Sequence, residues 1–510
     1  MNEMPSSGEY TAPQKSAVHF TARDWGALAM AVALSLLWFW NFGFSALSER
    51  VYLPSGLGTM IFVFALFGAE IVYLGKKTVW NKTTALLLAA CLLMAVNCFV
   101  YISYWVAVIN CLIIFCVGTM EIFALSGRLD KSVSNFRVIG NTISLGLRAL
   151  FINFGKPFRA LGTMGKGKRK SLLYALIGIV IALPVLILVI SLLSSADAVF
   201  RNVFSGLGDW LKNIGIGAAL RRVIRTAVLA LMFFSSLYFL AQPRKEKPGH
   251  IPGSTALPAI PYIIILTLLN VLYALFVAIQ FAFLFGNRET AAMNGGYAEY
   301  ARSGFFQLTA VAIINLAAVL LTSVSVRSRD KIGAAVKLLS ILLVLFTAVI
   351  LASAAYRMSL YVSTYGLSVL RLLTFWAMAV IALLLAAATV KIFKKNFRFW
   401  PVLLSVVLAC WLIFSWSNPD ARIAEYNVDM YLGGAADEID LQYLSTVSPE
   451  TLPALERLYA SGVDIKASGD SITPDGRMFL CDVTEGIRSR LSATMNIREA
   501  TVTALKYAMR

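Results

Sequence analysis

Arg357, Tyr361 and Tyr365 recur every four residues in YRMSLYVSTYGLSVLR, 356–371, and Arg371 closes the same stretch. On a helix that spacing stacks one guanidinium and two phenols on a single face. Cations set among phenols suit an anionic headgroup or a polymer, and the same rings would also make an interfacial aromatic belt. Carboxylates are the other chemical resource. Asp197 lies in SADAVF, 195–200, and Asp420, Glu425, Tyr426 and Asn427 lie in NPDARIAEYN, 418–427. These acids are candidate bases for chemistry without histidine. Glu70 and Glu121 fall inside apolar stretches, where an ionisable group is costly. They mark either a proton or cation path or, like Lys337, a side chain reaching back to the interface.

Much chemistry is excluded by inventory. The chain has two histidines, His19 and His250, both outside any apolar stretch, so neither a Ser-His-Asp triad nor a histidine zinc site is available within a membrane. Five of the six cysteines, Cys91, Cys98, Cys111, Cys116 and Cys410, lie in apolar segments and read as small apolar residues. Cys481 stands alone in the C-terminal region, which therefore has no internal disulfide. GTMGKGKRK, 162–170, approaches a phosphate loop through Gly162, Gly167 and Lys168, but Arg169 stands where Ser or Thr is required. No metal and no cofactor is expected.

The elements that must position these residues follow from composition. The 510 residues are 59% hydrophobic and 14% charged, with a mean hydropathy of +0.74. This is the composition of an integral membrane protein. Apolar runs of about 20 residues, the length a bilayer core requires, fall near 25–44, 57–74, 84–101, 103–125, 171–194, 223–241, 257–285, 304–326, 332–354, 372–390 and 401–417. The expected fold is an all-α polytopic membrane protein of about 11 transmembrane helices, with interfacial amphipathic helices and a small α-rich extracytoplasmic C-terminal domain. Spans three and four come from one uncharged run, with the turn placed near Asn97–Ser103.

The net charge of +18 reads as topology rather than nucleic-acid binding. With the N-terminus inside, the alternate segments 1–24, 75–83, 126–170, 242–256, 327–331 and 391–400 hold 25 basic and 6 acidic residues. The tail from Asn418 carries 14 acidic and 9 basic residues, and an odd number of spans leaves it outside. The expected divisions are a cytoplasmic segment 1–24, a four-span bundle 25–125, a basic cytoplasmic interfacial loop 126–170 contacting anionic lipid, a seven-span core 171–417 and the C-terminal domain 418–510. An amphipathic helix is expected over 194–217. In the tail, Asn418–Pro419 starts one helix and Ser448–Pro449 another that presents Leu452, Leu455 and Leu458, while SITPDGRM, 471–478, suggests a hairpin.

Together SADAVF, SLYVSTYGLSVLR (359–371), SNPDARIAEYNVDMYL (417–432) and DLQYLSTVSPETLPAL (440–455) resemble a bacterial family of multipass membrane proteins, domain of unknown function 4173, and the related family 4153. The resemblance implies a bacterial inner-membrane protein and brings no established activity. It marks Asn418 and Asp440 beside the residues named above as positions to test. Three functions remain open from the residues. One is binding or signalling, with the outer loops and tail recognising an envelope protein or glycolipid. The others are a transporter or flippase for a small or anionic substrate, and an envelope lipid- or glycan-modifying enzyme.

Overall fold

A computed structural model describes residues 20–42, 56–129, 137–163, 216–242, 259–285, 305–325, 331–394, 397–463, 465, 476–493 and 501–508. Every extended element among them is a helix. The fifth expected span, 171–194, and Asp197 lie outside these residues.

The membrane helices begin with α1 (Ala22–Phe42), α2 (Leu57–Leu74), α3 (Lys82–Val100) and α4 (Tyr104–Leu125). Two shorter helices, α5 (Arg137–Phe151) and α6 (Lys156–Thr163), fall in the basic loop. Then come α7 (Ile216–Ala241), α8 (Ile260–Phe285), α9 (Phe305–Ser325), α10 (Lys331–Tyr365), α11 (Val369–Phe393) and α12 (Phe399–Trp416). Nine helices among the described residues are long and apolar enough to cross a membrane, and α9 contains a shorter apolar stretch, Gln307–Ser323. The C-terminal helices are α13 (Pro419–Leu432), α14 (Leu441–Val447), α15 (Leu452–Ala460), α16 (Gly476–Ala493) and α17 (Val502–Ala508), with a 3-10 turn at Pro449–Thr451.

The chain divides into two compact units, and each is described by itself. The first draws on 1–52, 64–79 and 142–244. Its centre is α1 against α7: Ala27 and Ala31, fully buried and one turn apart, let the helices approach, and Phe234 and Leu237 fill the seam. Arg23 donates to the carbonyl of Tyr73, and Ser235 Oγ donates to Ala149 O at 2.6 Å.

The second unit draws on 53–63, 80–141 and 245–510. Helices α8 to α11 enclose one apolar core around Leu266, Ala312, Leu343, Ala354 and Ala388. Inside lipid the apolar effect cannot hold helices together, so polar links matter. Tyr273 donates to Asn315 Oδ1 at 2.9 Å, and Asn315 Nδ2 donates to Thr347 Oγ1 at 3.0 Å, joining α8, α9 and α10. A second link joins α3, α4 and α12. Asn97 donates to Ser415 O, Asn110 to Asn97 Oδ1 and Trp411 Nε1 to Asn110 Oδ1, at 3.0, 2.9 and 2.7 Å.

Helices α13 to α17 form a further core of Ile423, Val428, Leu444, Leu452, Leu455, Leu458, Leu480 and Ile487. Ile102 and the partly buried Leu367, Val369 and Leu372 join it, so this core grows onto the ends of the membrane helices. The Pro419 helix start is as the sequence predicts. Asn418 caps it in the left-handed region, φ 51°, and accepts from Ala421 N. Ser448 likewise caps the Pro449 turn. The hairpin expected at 471–478 is corrected at its end: a helix begins at Gly476, and residues 471–475 lie outside the described set.

Candidate functional site

Two polar centres lie where the C-terminal helices meet the membrane helices. The first is an open groove of about 880 Å³ between the end of α10 and the start of α11 on one side and the α13–α14 connection on the other. Tyr365, Gly366, Arg371, Asn427, Asp437, Glu438, Asp440 and Tyr443 contribute to its walls.

Its construction starts from Gly366, which ends α10 with φ +74°. Its N–H donates to Val362 O at 2.9 Å, a left-handed helix stop that favours glycine. A β-carbon at this position would lie 2.2 Å from Asn427 Oδ1, so only glycine lets α13 come this close. Asn427 then bridges Leu367 at both backbone groups, accepting from its N–H and donating to its carbonyl at 2.8 Å each. Beside it Tyr443 OH accepts from Val369 N at 2.9 Å. Burial raises the Tyr443 phenol above its ordinary pKa, against the pull of the Val369 N–H.

Arg371 donates through one amino group to the carbonyls of Tyr365 and Gly366, capping the open end of α10. Its guanidinium lies 4.4 Å from the Tyr361 ring centre, and the Tyr361 and Tyr365 rings are 5.0 Å apart. Arg371, Tyr361 and Tyr365 therefore lie together, with the cation partly committed to the backbone. Tyr365 is 55% exposed, whereas Arg357 is buried at 8% and stands apart from the groove lining. Three exposed carboxylates, Asp437, Glu438 and Asp440, line the same groove as Arg371, and Asp440 Oδ1 accepts from Tyr443 N at 2.8 Å. That wall escaped the sequence reading, which had only Asp440 in view.

The second centre is a buried pair of carboxyls. Asp420 is 0% and Glu450 6% exposed. Glu450 Oε1 accepts from Ile102 N at 2.8 Å and from Thr503 Oγ1 at 2.6 Å, and Oε2 accepts from Asn418 Nδ2 at 3.0 Å. Asp420 Oδ1 accepts from Trp105 Nε1 at 2.8 Å, while Oδ2 has no donor in hydrogen-bonding geometry among the described residues. Burial pushes the Asp420 pKa up, and the charge of Glu450 pushes the same way. The hydroxyls of Ser103 and Ser448 and the Trp105 indole oppose this without cancelling it. Glu450 was visible beforehand only as the residue after a capping Ser-Pro.

The other candidates are dispersed. Glu425 and Tyr426 are exposed on α13 and stand apart from the groove lining. Glu70 and Glu121 are 3% and 0% exposed. Reaching out to the interface is therefore corrected for both: they turn into protein, while Lys337 is exposed. Both oxygens of Glu121 are buried without a hydrogen-bond partner among the described residues. No group of three potential metal-ligating side chains occurs among the described residues.

The family model for domain of unknown function 4153 matches residues 88–458. The chain belongs to that family. The match takes in the α3–α4 pair, the groove walls and the buried carboxyl pair. It is to the second of the two related families that the sequence resembles. No curated protein and no solved structure matches the chain. For this member of the 4153 family the site must therefore be judged from its own geometry.

Proposed function

We propose that this chain is a bacterial inner-membrane recognition protein whose groove at the α10–α11 turn binds a polar component of the cell envelope on the extracytoplasmic side. The observation that carries the reading is the groove itself: Arg371, an exposed tyrosine and three carboxylates line one opening of about 880 Å³. A ligand with groups of both signs, or many hydroxyls, suits it better than a simple anion. Placement supports the same reading. The 35 residues of α10 extend about 52 Å at 1.5 Å each, beyond the roughly 40–45 Å of core plus headgroups. With basic Lys331 at the inner end, its Tyr365 end stands clear of the lipid. The basic loops support an N-terminus inside and anionic lipid contact there.

A photo-crosslinking amino acid at Ser363 or Glu438, in the groove, and at Tyr426, exposed outside it, tests the reading in native membranes. An adduct specific to the two groove positions is expected. The same adducts from all three positions would end the proposal.

Transport is the second reading, favoured by Glu121, a carboxyl buried in an apolar helix without a partner among the described residues. Recognition predicts that Glu121→Gln is silent. A pH-dependent loss of substrate uptake in that variant would favour transport. An enzyme is the third reading: Asp420 and Glu450 are closed to solvent, which leaves it the groove carboxylates Asp437, Glu438 and Asp440.

A further inference from the structure

We propose that Asp420 and Glu450 form a pH-sensitive latch that fastens the C-terminal helices to the α3–α4 turn, tightening when Asp420 takes up a proton and loosening when it loses one. The latch is separate from the groove and does not require that the groove bind anything.

The geometry assigns different roles to two carboxyls in one dry seam. Glu450 accepts from three donors: the Ile102 amide, the Thr503 hydroxyl and the Asn418 amide. Asp420 is fully buried, has one donor on Oδ1 and leaves Oδ2 unfilled. Ser103 Oγ, also buried, meets no partner in full hydrogen-bonding geometry among the described residues but lies close enough to act on Asp420. A proton on Asp420 removes one of two like charges from the seam and supplies an O–H that Ser103 or Ser448 can accept. Two carboxyls buried in one site disfavour a second negative charge, so a proton on one of them is favoured.

The titratable and charged neighbours are few. The 3-10 turn brings Glu450, and α14 brings Tyr443, whose phenol senses the Asp420 charge. Trp105, Ser103, Ser448 and Thr503 carry no charge. Among the described residues no cation is one of the groups that act on Asp420.

The sign follows by linkage. Docking raises the Asp420 pKa above its value in water. The docked state therefore holds its proton to higher pH than the undocked state. Docking is strongest below the ordinary aspartate range and weakens as pH rises through the raised, docked value. The limiting slope for one proton is about tenfold per pH unit.

The Ile102 amide is a direct reporter, because its hydrogen goes to Glu450 Oε1. Hydrogen exchange is measured on the full chain in lipid nanodiscs from about pH 4 to about pH 8, spanning the ordinary carboxylate range and above. Rates are corrected for intrinsic exchange. Peptides covering 101–104 and 449–451 should lose protection several-fold across that range, while α10 peptides should not. Asp420→Asn should keep the acidic-limit protection at every pH. Wild-type protection that is flat with pH, or an equal slope in Asp420→Asn, would overturn the proposal. Should Asp420→Asn fail to reach the membrane, Trp105→Phe carries the test. It removes a donor that favours the ionised form, so the midpoint should move to higher pH. A uniform loss of protection with an unmoved midpoint would show a structural contact and refute the latch.

Discussion

The most demanding position in the groove is a glycine. Gly366→Ala places a methyl 2.2 Å from Asn427 Oδ1 at φ +74°. The left-handed conformation costs about 1–2 kcal/mol, and turning the Asn427 amide away forfeits two hydrogen bonds of about 1 kcal/mol each. Thermal unfolding in detergent should show a loss of a few kcal/mol. Arg457→Ala is the contrast: its ion pair with Asp429 is exposed, 49% and 65%, and should be worth less than about 1 kcal/mol. Equal shifts for the two variants would contradict the close approach. The sequence made Tyr361 and Tyr365 legible because they share one helix, where spacing fixes geometry, and Arg371 because it follows six residues after that helix ends. It could not show that Arg371 would serve the carbonyls of Tyr365 and Gly366, nor that Asn427 would bridge Leu367 from 60 residues away. Residue type is local information, whereas choice of partner depends on the packed fold.

Helices were legible to the extent that lipid dictates them. Apolar length located the described spans, because each backbone in a membrane must satisfy itself. The α3–α4 break had no glycine or proline to announce it, only an apolar run too long for one crossing. The structure supplies the missing reason: the Ile102 amide, freed by the break, is taken by Glu450, 348 residues further on. Glu121 shows the converse limit. It lies on the α4 face that buries Asn110, Ile114 and Val117, so its burial is set by which face packs and not by its distance from the helix end. Polar links between spans allow a prediction at this scale. Trp411→Phe keeps the aromatic packing against Trp376 and Phe414 but loses the bond to Asn110. It should lower stability by roughly 0.6–2 kcal/mol, the range for such bonds in membranes. Urea or detergent titration would measure it, and no change would mean that apolar packing alone joins α4 to α12.

At the scale of the molecule, the Ile102–Glu450 bond fixes a topological relation. The α3–α4 turn and the C-terminal helices must lie on one side of the membrane, since Glu450 cannot reach Ile102 through a bilayer. Helix α4 then runs 22 residues, about 33 Å, which suffices to cross the hydrocarbon core. A crossing α4 puts its Leu125 end on the opposite side. Single cysteines at Ala460 and Gly155, both exposed, test this in a chain cleared of reactive native cysteines. An impermeant maleimide applied to intact cells should label position 460, and position 155 only after the membrane is opened. That result would agree with the excess of basic residues in 126–170. Labelling of both positions from one side would mean that α4 does not cross the membrane, and the contact between Glu450 and the Ile102 amide would then have to form without a crossing α4 beside it.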